Sequence, residues 1–166
     1  MDWIRKLKPM AVPAVEATLQ VAAVYQDAHG RKRATALCRR VSQMMGDDAI
    51  VSHLWSYAEL RRPDIFSQAV AAAVLADVLV VSARAGEPCP EILGAWVEAW
   101  SARRQRQDGA LIALMSVSAG QSAAEWKKME AYLRSVARRS QLDFLWREQA
   151  TTGSDPSTPS SYSPSR

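Results

Sequence analysis

Asp27 and His29 share the short stretch Tyr25-Gln26-Asp27-Ala28-His29-Gly30-Arg31. A carboxylate and an imidazole on one loop are the ingredients of general acid–base chemistry, since a proton can pass between groups held within hydrogen-bond reach. The ordinary reading of a histidine at a helix start is a capping or surface residue. Ser82 closes a valine-rich run, and Ser116 closes a second apolar run, Ala110 to Met115. A serine hydroxyl becomes a nucleophile beside a base, but Ser82-Ala83-Arg84 lacks the GxSxG turn that exposes such a serine. His53 has no Cys, Asp or second His at ligand spacing, and Cys38 and Cys89 form no CxxC pair, so no metal site is expected. The candidate ligand-binding set is Asp27, His29, Gly30, Ser82 and Ser116, with no catalytic residue assigned.

These residues meet only if the elements carrying them line up. Ala76-Asp77-Val78-Leu79-Val80-Val81-Ser82-Ala83 is too short and too valine-rich for an ordinary helix. It reads as a strand buried on both faces, the centre of a parallel sheet. Around it the pattern predicts strands over 18–25, 49–56, 110–115 and 142–146. Helices are predicted over 31–45, 65–75 and 123–139, with another opening at Pro90 and ended by Gln107-Asp108-Gly109. Asp64 is the expected N-cap of the second helix, and Ser116 to Ser122 reads as a small-residue loop. Residues 1–16 form a leader, 17–148 the domain, and 149–166 a Ser/Thr/Pro-rich tail too poor in apolar residues to fold.

Strands alternating with helices imply right-handed crossovers. The expected fold is α/β, a three-layer sandwich whose five-stranded parallel sheet has the flavodoxin-like order 2-1-3-4-5. Ligands of such sheets bind beyond the carboxyl ends of the strands. The crevice would then be lined by Gln26 to Gly30, Ser82 to Gly86 and Ser116 to Gly120.

Three known chemistries can be held against that crevice. A phosphate cradle needs clustered backbone N–H groups, usually from glycines and hydroxyls. The first loop keeps one glycine and no hydroxyl, Asp27 repels phosphate, and neither GxGxxG nor a Walker A motif is present. FMN is therefore disfavoured and no cofactor is expected. The run Arg31-Lys32-Arg33 reads first as solvated surface, with an anion held at the helix start as the alternative. A response-regulator receiver needs an acidic pair, a phosphoacceptor Asp, a Ser/Thr and a Lys at successive strand ends. Asp27 supplies one acid, Ser82 stands where the phosphoacceptor belongs, Ser116 supplies the hydroxyl, and Trp146-Arg147 ends the fifth strand without lysine. Nucleoside deoxyribosyltransferase-like proteins look similar around Ala76-Asp77 and Glu98, although the Gly-Thr ahead of their glutamate is missing. The simpler reading of Trp96-Val97-Glu98-Ala99-Trp100 is a helix with both tryptophans on one stripe and Glu98 off it.

The pattern as a whole resembles an uncharacterised family of small bacterial α/β proteins with a flavodoxin-like, receiver-like fold. The resemblance rests on Tyr25-x-Asp27, the Trp55 strand, Ala76-Asp77, Trp96 with Trp100, Ala110-Leu111, Tyr132-Leu133, Ala137 and Asp143-Phe144, within residues 18–146. It brings no activity with it.

The chain has 166 residues, 48% of them hydrophobic and 23% charged, enough for one domain with a substantial core. A net charge of +4 is too small to argue for nucleic acid. No apolar run is long enough to span a bilayer and no signal-peptide core follows Met1, so a cytoplasmic location is expected. With an incomplete catalytic set, the expected function is a non-enzymatic, receiver-like regulatory or protein-interaction module that lacks the phosphoacceptor Asp and has a protein partner. The alternative is an enzyme or binder acting on a small anionic or nucleotide-like ligand at the C-terminal ends of the strands. Neither nucleic acid nor membrane is expected as a partner.

Overall fold

The computed structural model describes residues 18–45, 50–84, 89–118 and 123–151. The leader, the tail beyond Thr151, and residues 85–86 and 119–120 of the predicted crevice lie outside the described residues. In chain order the elements are β1 (Leu19–Tyr25), α1 (Ala28–Met45), β2 (Ile50–Ser56), α2 (Tyr57–Leu60), α3 (Pro63–Leu75), β3 (Val78–Arg84), α4 (Glu91–Arg103), β4 (Ala110–Ser118), α5 (Ala123–Arg139) and β5 (Asp143–Thr151). The five strands form one sheet in the order β2-β1-β3-β4-β5, all parallel.

Valine and alanine place β3 at the centre, because a strand covered on both faces cannot alternate polar residues. From Val78 to Ala83 no residue of β3 is more than 3% exposed. One side of the sheet packs against α1, through Ala34, Leu37 and Val41 on Val21, Ala23, Val80 and Ile112. The other side carries α2, α3, α4 and α5, with Trp96 and Trp100 fully buried among Leu79, Leu111 and Leu133. The two indoles meet edge to face, centroids 5.9 Å apart, as the one-stripe reading of that helix requires.

Several boundaries differ from the sequence expectation, each for a local reason. The first helix begins at Ala28, not Arg31, because Asp27 caps it and draws the supposed turn into its first turn. Asp64 is not a cap. Pro63 takes the first helical position, where its missing N–H costs nothing, and Asp64 pairs with Arg62 instead. Ser116, Val117 and Ser118 are strand rather than loop, since each pairs with β5 at Gln149, Ala150 or Thr151. Ladder pairing overrides the small-residue composition there, and it carries β5 through residues 149–151, which composition had assigned to the tail. The short helix α2 was not foreseen; a capping box between Ser56 and Glu59 nucleates it directly after β2. Among the described residues no helix is long and apolar enough to cross a membrane.

Candidate functional site at the C-terminal ends of the strands

Asp27 follows the last residue of β1 but one, and its position is fixed by what it accepts. Its Oδ1 takes the Gly30 N–H at 2.9 Å, and its carbonyl takes the Arg31 N–H at 2.9 Å. A carboxylate at a helix start satisfies orphan N–H groups and complements the helix dipole. The other carboxylate oxygen faces β3, where Arg84 donates Nε at 2.8 Å and Nη2 at 2.6 Å. The backbone N–H of Arg84 donates to Gln26 Oε1 at 3.1 Å, so two consecutive residues after β1 grip the end of β3. Burial pushes the Asp27 carboxyl up, but the Gly30 N–H and the Arg84 guanidinium outweigh it and hold the group below the ordinary aspartate value.

Ser82 lies opposite Tyr25 in the β1–β3 register and is 1% exposed. Its carbonyl accepts the Tyr57 hydroxyl at 2.9 Å, and burial drives the Tyr57 phenol far above its usual range. Gly30 explains how α1 reaches this close: a Cβ there would stand 2.6 Å from Ser82 Oγ and 3.5 Å from Asp27 Oδ1. Asp27, Gly30 and Ser82 are therefore brought together.

Ser116 is 7% exposed and sits one strand over, in register with Arg84 rather than with Ser82. Among the described residues His29 makes no hydrogen bond or ion pair with Asp27, although its charge also helps to lower the Asp27 carboxyl. It is exposed in the first turn of α1 and lines a cleft between that helix and the β4–β5 edge of the sheet. The acid–base pair imagined for Asp27 and His29 is therefore replaced by an ion pair of Asp27 with Arg84. A carboxylate held ionised in this way is a weak proton acceptor.

Sequence reasoning put Gln26 and Arg84 in the crevice lining without giving either a role, and it left out Tyr57. The one signal is a lone arginine ending a nearly all-apolar strand, which charge patterning reads as surface. The deoxyribosyltransferase-like pair also falls away. Asp77 precedes β3 at its amino end, where it accepts the Gln20 N–H at 2.8 Å and pairs with Arg106 at 2.6 Å. Glu98 lies between α4 and α5, accepting Tyr132 Oη at 3.2 Å and Arg139 at 3.1 Å. Both residues are structural. Among the described residues no His/Cys/Asp/Glu cluster has the makings of a metal site.

No protein-family model matches the chain, and no curated protein matches it. Solved structures do. The flavodiiron core Flv1 of Synechocystis sp. PCC6803 superposes with a TM-score of 0.57 at 13% identity, over 89% of this chain and 34% of that one. This chain thus spans about a third of that protein's length. An oxidoreductase of Corynebacterium diphtheriae gives 0.54 at 14% identity, over 82% of this chain and 84% of that one. The Trp repressor binding protein of Bacillus subtilis gives 0.53 at 7% identity, over 80% and 85%. At such identities the likeness establishes the fold, a flavodoxin-like α/β sandwich, and no more.

The receiver-like reading does not survive. The neighbours reported are a flavodiiron core, an oxidoreductase and a Trp repressor binding protein. The crevice itself is unlike a phosphoacceptor site: Ser82 is buried under Gly30, and Asp27 is engaged by Arg84 and by the cap of α1.

Proposed function

We propose that this chain binds a nucleotide-like small ligand over the C-terminal ends of β1, β3 and β4, either as a binder or as an enzyme acting on it. The observation that carries the reading is the Asp27–Arg84 pair, with Gln26 beside it, at the point where the chain connections reverse direction. The names of two neighbours, an oxidoreductase and a flavodiiron core, support a small-ligand role for this fold by analogy.

The chemistry of the pair selects what fits. Asp27 Oδ1, which takes one bond from the Gly30 N–H, has a second lone pair for a hydroxyl or an amine, such as a ribose diol or an exocyclic base amine. Arg84 is about half exposed and donates to a carbonyl or to an anionic oxygen. The start of α1 does not suit a phosphate, because Asp27 already takes the Gly30 N–H that a phosphate would use. The sugar and base are therefore the recognised parts.

A thermal-shift screen with nucleosides, nucleotides, flavins and sugar phosphates tests this directly. Ligand in about a hundredfold excess over Kd stabilises by about 2.7 kcal/mol, roughly 5–10 °C for a domain of this size. The expected result is a rise with one nucleoside or nucleotide class that Arg84→Gln abolishes. No rise with any of them, or a rise that Arg84→Gln leaves intact, removes the reading.

A further inference from the structure

The flank of α1 that faces β4 and β5 carries a feature the crevice does not use. A cleft of about 500 Å³ runs between α1 and the β4–β5 edge, lined by His29, Lys32, Arg33 and Arg40 on the helix and by Leu114 and Arg147 on the sheet. Residues 29, 32, 33, 36, 37 and 40 recur at helical spacing, so one stripe of α1 forms a whole wall. The size suits a small molecule.

Three of the cations on its walls carry charge that is not neutralised. Among the described residues Lys32, Arg33 and Arg147 make no ion pair. Arg33 Nη1 is cut off from solvent without a hydrogen-bond partner. An unpartnered buried donor on a charged group is costly, and a second guanidinium nearby adds repulsion. Burial, then the Arg147 charge, lowers the Arg33 pKa, which is what an uncompensated pair does. Glu148 and Gln149 also reach the cleft. Glu148, however, already accepts the Trp146 indole N–H at 2.9 Å, and it alternates with Arg147 along β5, so its main direction is the opposite face of the sheet.

We infer that this cleft is a binding site for a compact, multiply charged phosphorylated anion, distinct from the crevice at the strand ends. Guanidinium groups favour phosphate oxygens through paired N–H donors, and a concave wall of one sign concentrates such anions. Among the described residues the cleft has no aromatic ring besides the His29 imidazole on which a base would stack, which favours phosphates over a nucleobase as what it recognises. The inference does not rest on the proposed crevice ligand, and its probe has neither sugar nor base.

The test is calorimetric titration of the full chain with inorganic tripolyphosphate at low and at physiological salt. Binding is expected, weakening as salt rises because the contacts are ionic. Arg147→Gln and Lys32→Gln should each weaken it about tenfold, the effect of losing one good charge-assisted contact. Arg33→Lys serves where Arg33→Gln fails to fold. Arg138→Gln removes the same charge from exposed α5 and should leave affinity unchanged, as should Arg84→Gln in the crevice. No binding to the unaltered chain overturns the inference. So does an equal loss in Arg138→Gln, which would reduce the effect to net charge, or a loss confined to Arg84→Gln, which would place the phosphates in the crevice.

Discussion

Asp27 performs two tasks with one carboxylate: it caps α1 through Gly30 and holds Arg84 across the sheet. Asn caps about as well as Asp, so Asp27→Asn should keep the helix start and lose only the ion pair. The partners are partly exposed, so the loss at neutral pH should stay below about 1 kcal/mol. The pH dependence gives the sign. The folded pKa of Asp27 lies below the unfolded value of about 3.9, so its contribution is present above that pH and lost as pH falls through the folded pKa. Urea denaturation at pH 7 and pH 3 should show the gap between the two proteins closing in acid; a gap of constant size would assign it to something other than the carboxylate. Gly30 makes a second residue-scale prediction. Alanine there gains about 1 kcal/mol of helix propensity but sets its Cβ 2.6 Å from the Oγ of buried Ser82. The overlap should win, costing about 1–3 kcal/mol net. Adding Ser82→Ala removes the Oγ and should restore most of it; a Gly30→Ala protein as stable as the original would show that α1 has room to shift. None of this could be read from Asp27 alone. Its partner stands 57 residues away, and only the pairing of β1 with β3 brings them together.

Among the elements, the parallel strands were legible because a strand buried on both faces has no choice but valine, leucine and alanine. The ends were less so, because they are set by contacts absent from the local pattern. Ser116 to Ser118 looks like a loop until β5 pairs with it, and Asp64 looks like a cap until Pro63 takes the first helical position. Ala76-Asp77, similar in sequence to a deoxyribosyltransferase motif, is part of a brace at the amino end of the sheet. Arg104 there donates Nη1 to the carbonyls of Ala73 at 3.0 Å and Ala76 at 2.7 Å, closing the end of α3, and Nη2 to Asp108 at 2.7 Å. Gly109 makes the brace possible. Its φ is +127°, and a Cβ would stand 2.7 Å from Arg104 Nη2 and 2.9 Å from the Asp77 carbonyl. Gly109→Ala should therefore destabilise by roughly 2 kcal/mol or more, from backbone strain and overlap together. Thermal unfolding checks this, and a change within about 0.5 kcal/mol would show that the brace yields freely.

At the scale of the molecule, the strand order β2-β1-β3-β4-β5 sorts polar residues into two populations. Those at the amino ends, Asp77, Arg104, Arg106 and Asp108, bond to one another and to nearby carbonyls. At the carboxyl ends, Asp27 and Arg84 pair beside Gln26 across the point where the connections reverse. Alternation of strand and helix was enough to foresee that order, but composition could not tell which end held the brace and which the crevice's ion pair. The most direct measurement is a titration of the 15N-labelled chain with the nucleoside or nucleotide that raises its melting temperature, followed by amide shifts. The amides of Gln26, Asp27, Gly30, Ser82 and Arg84 should move together along one saturating curve and stay still in Arg84→Gln. Shifts centred instead on Gln20, Asp77 and Gly109, at the amino ends of the strands, would contradict a ligand site at the carboxyl ends.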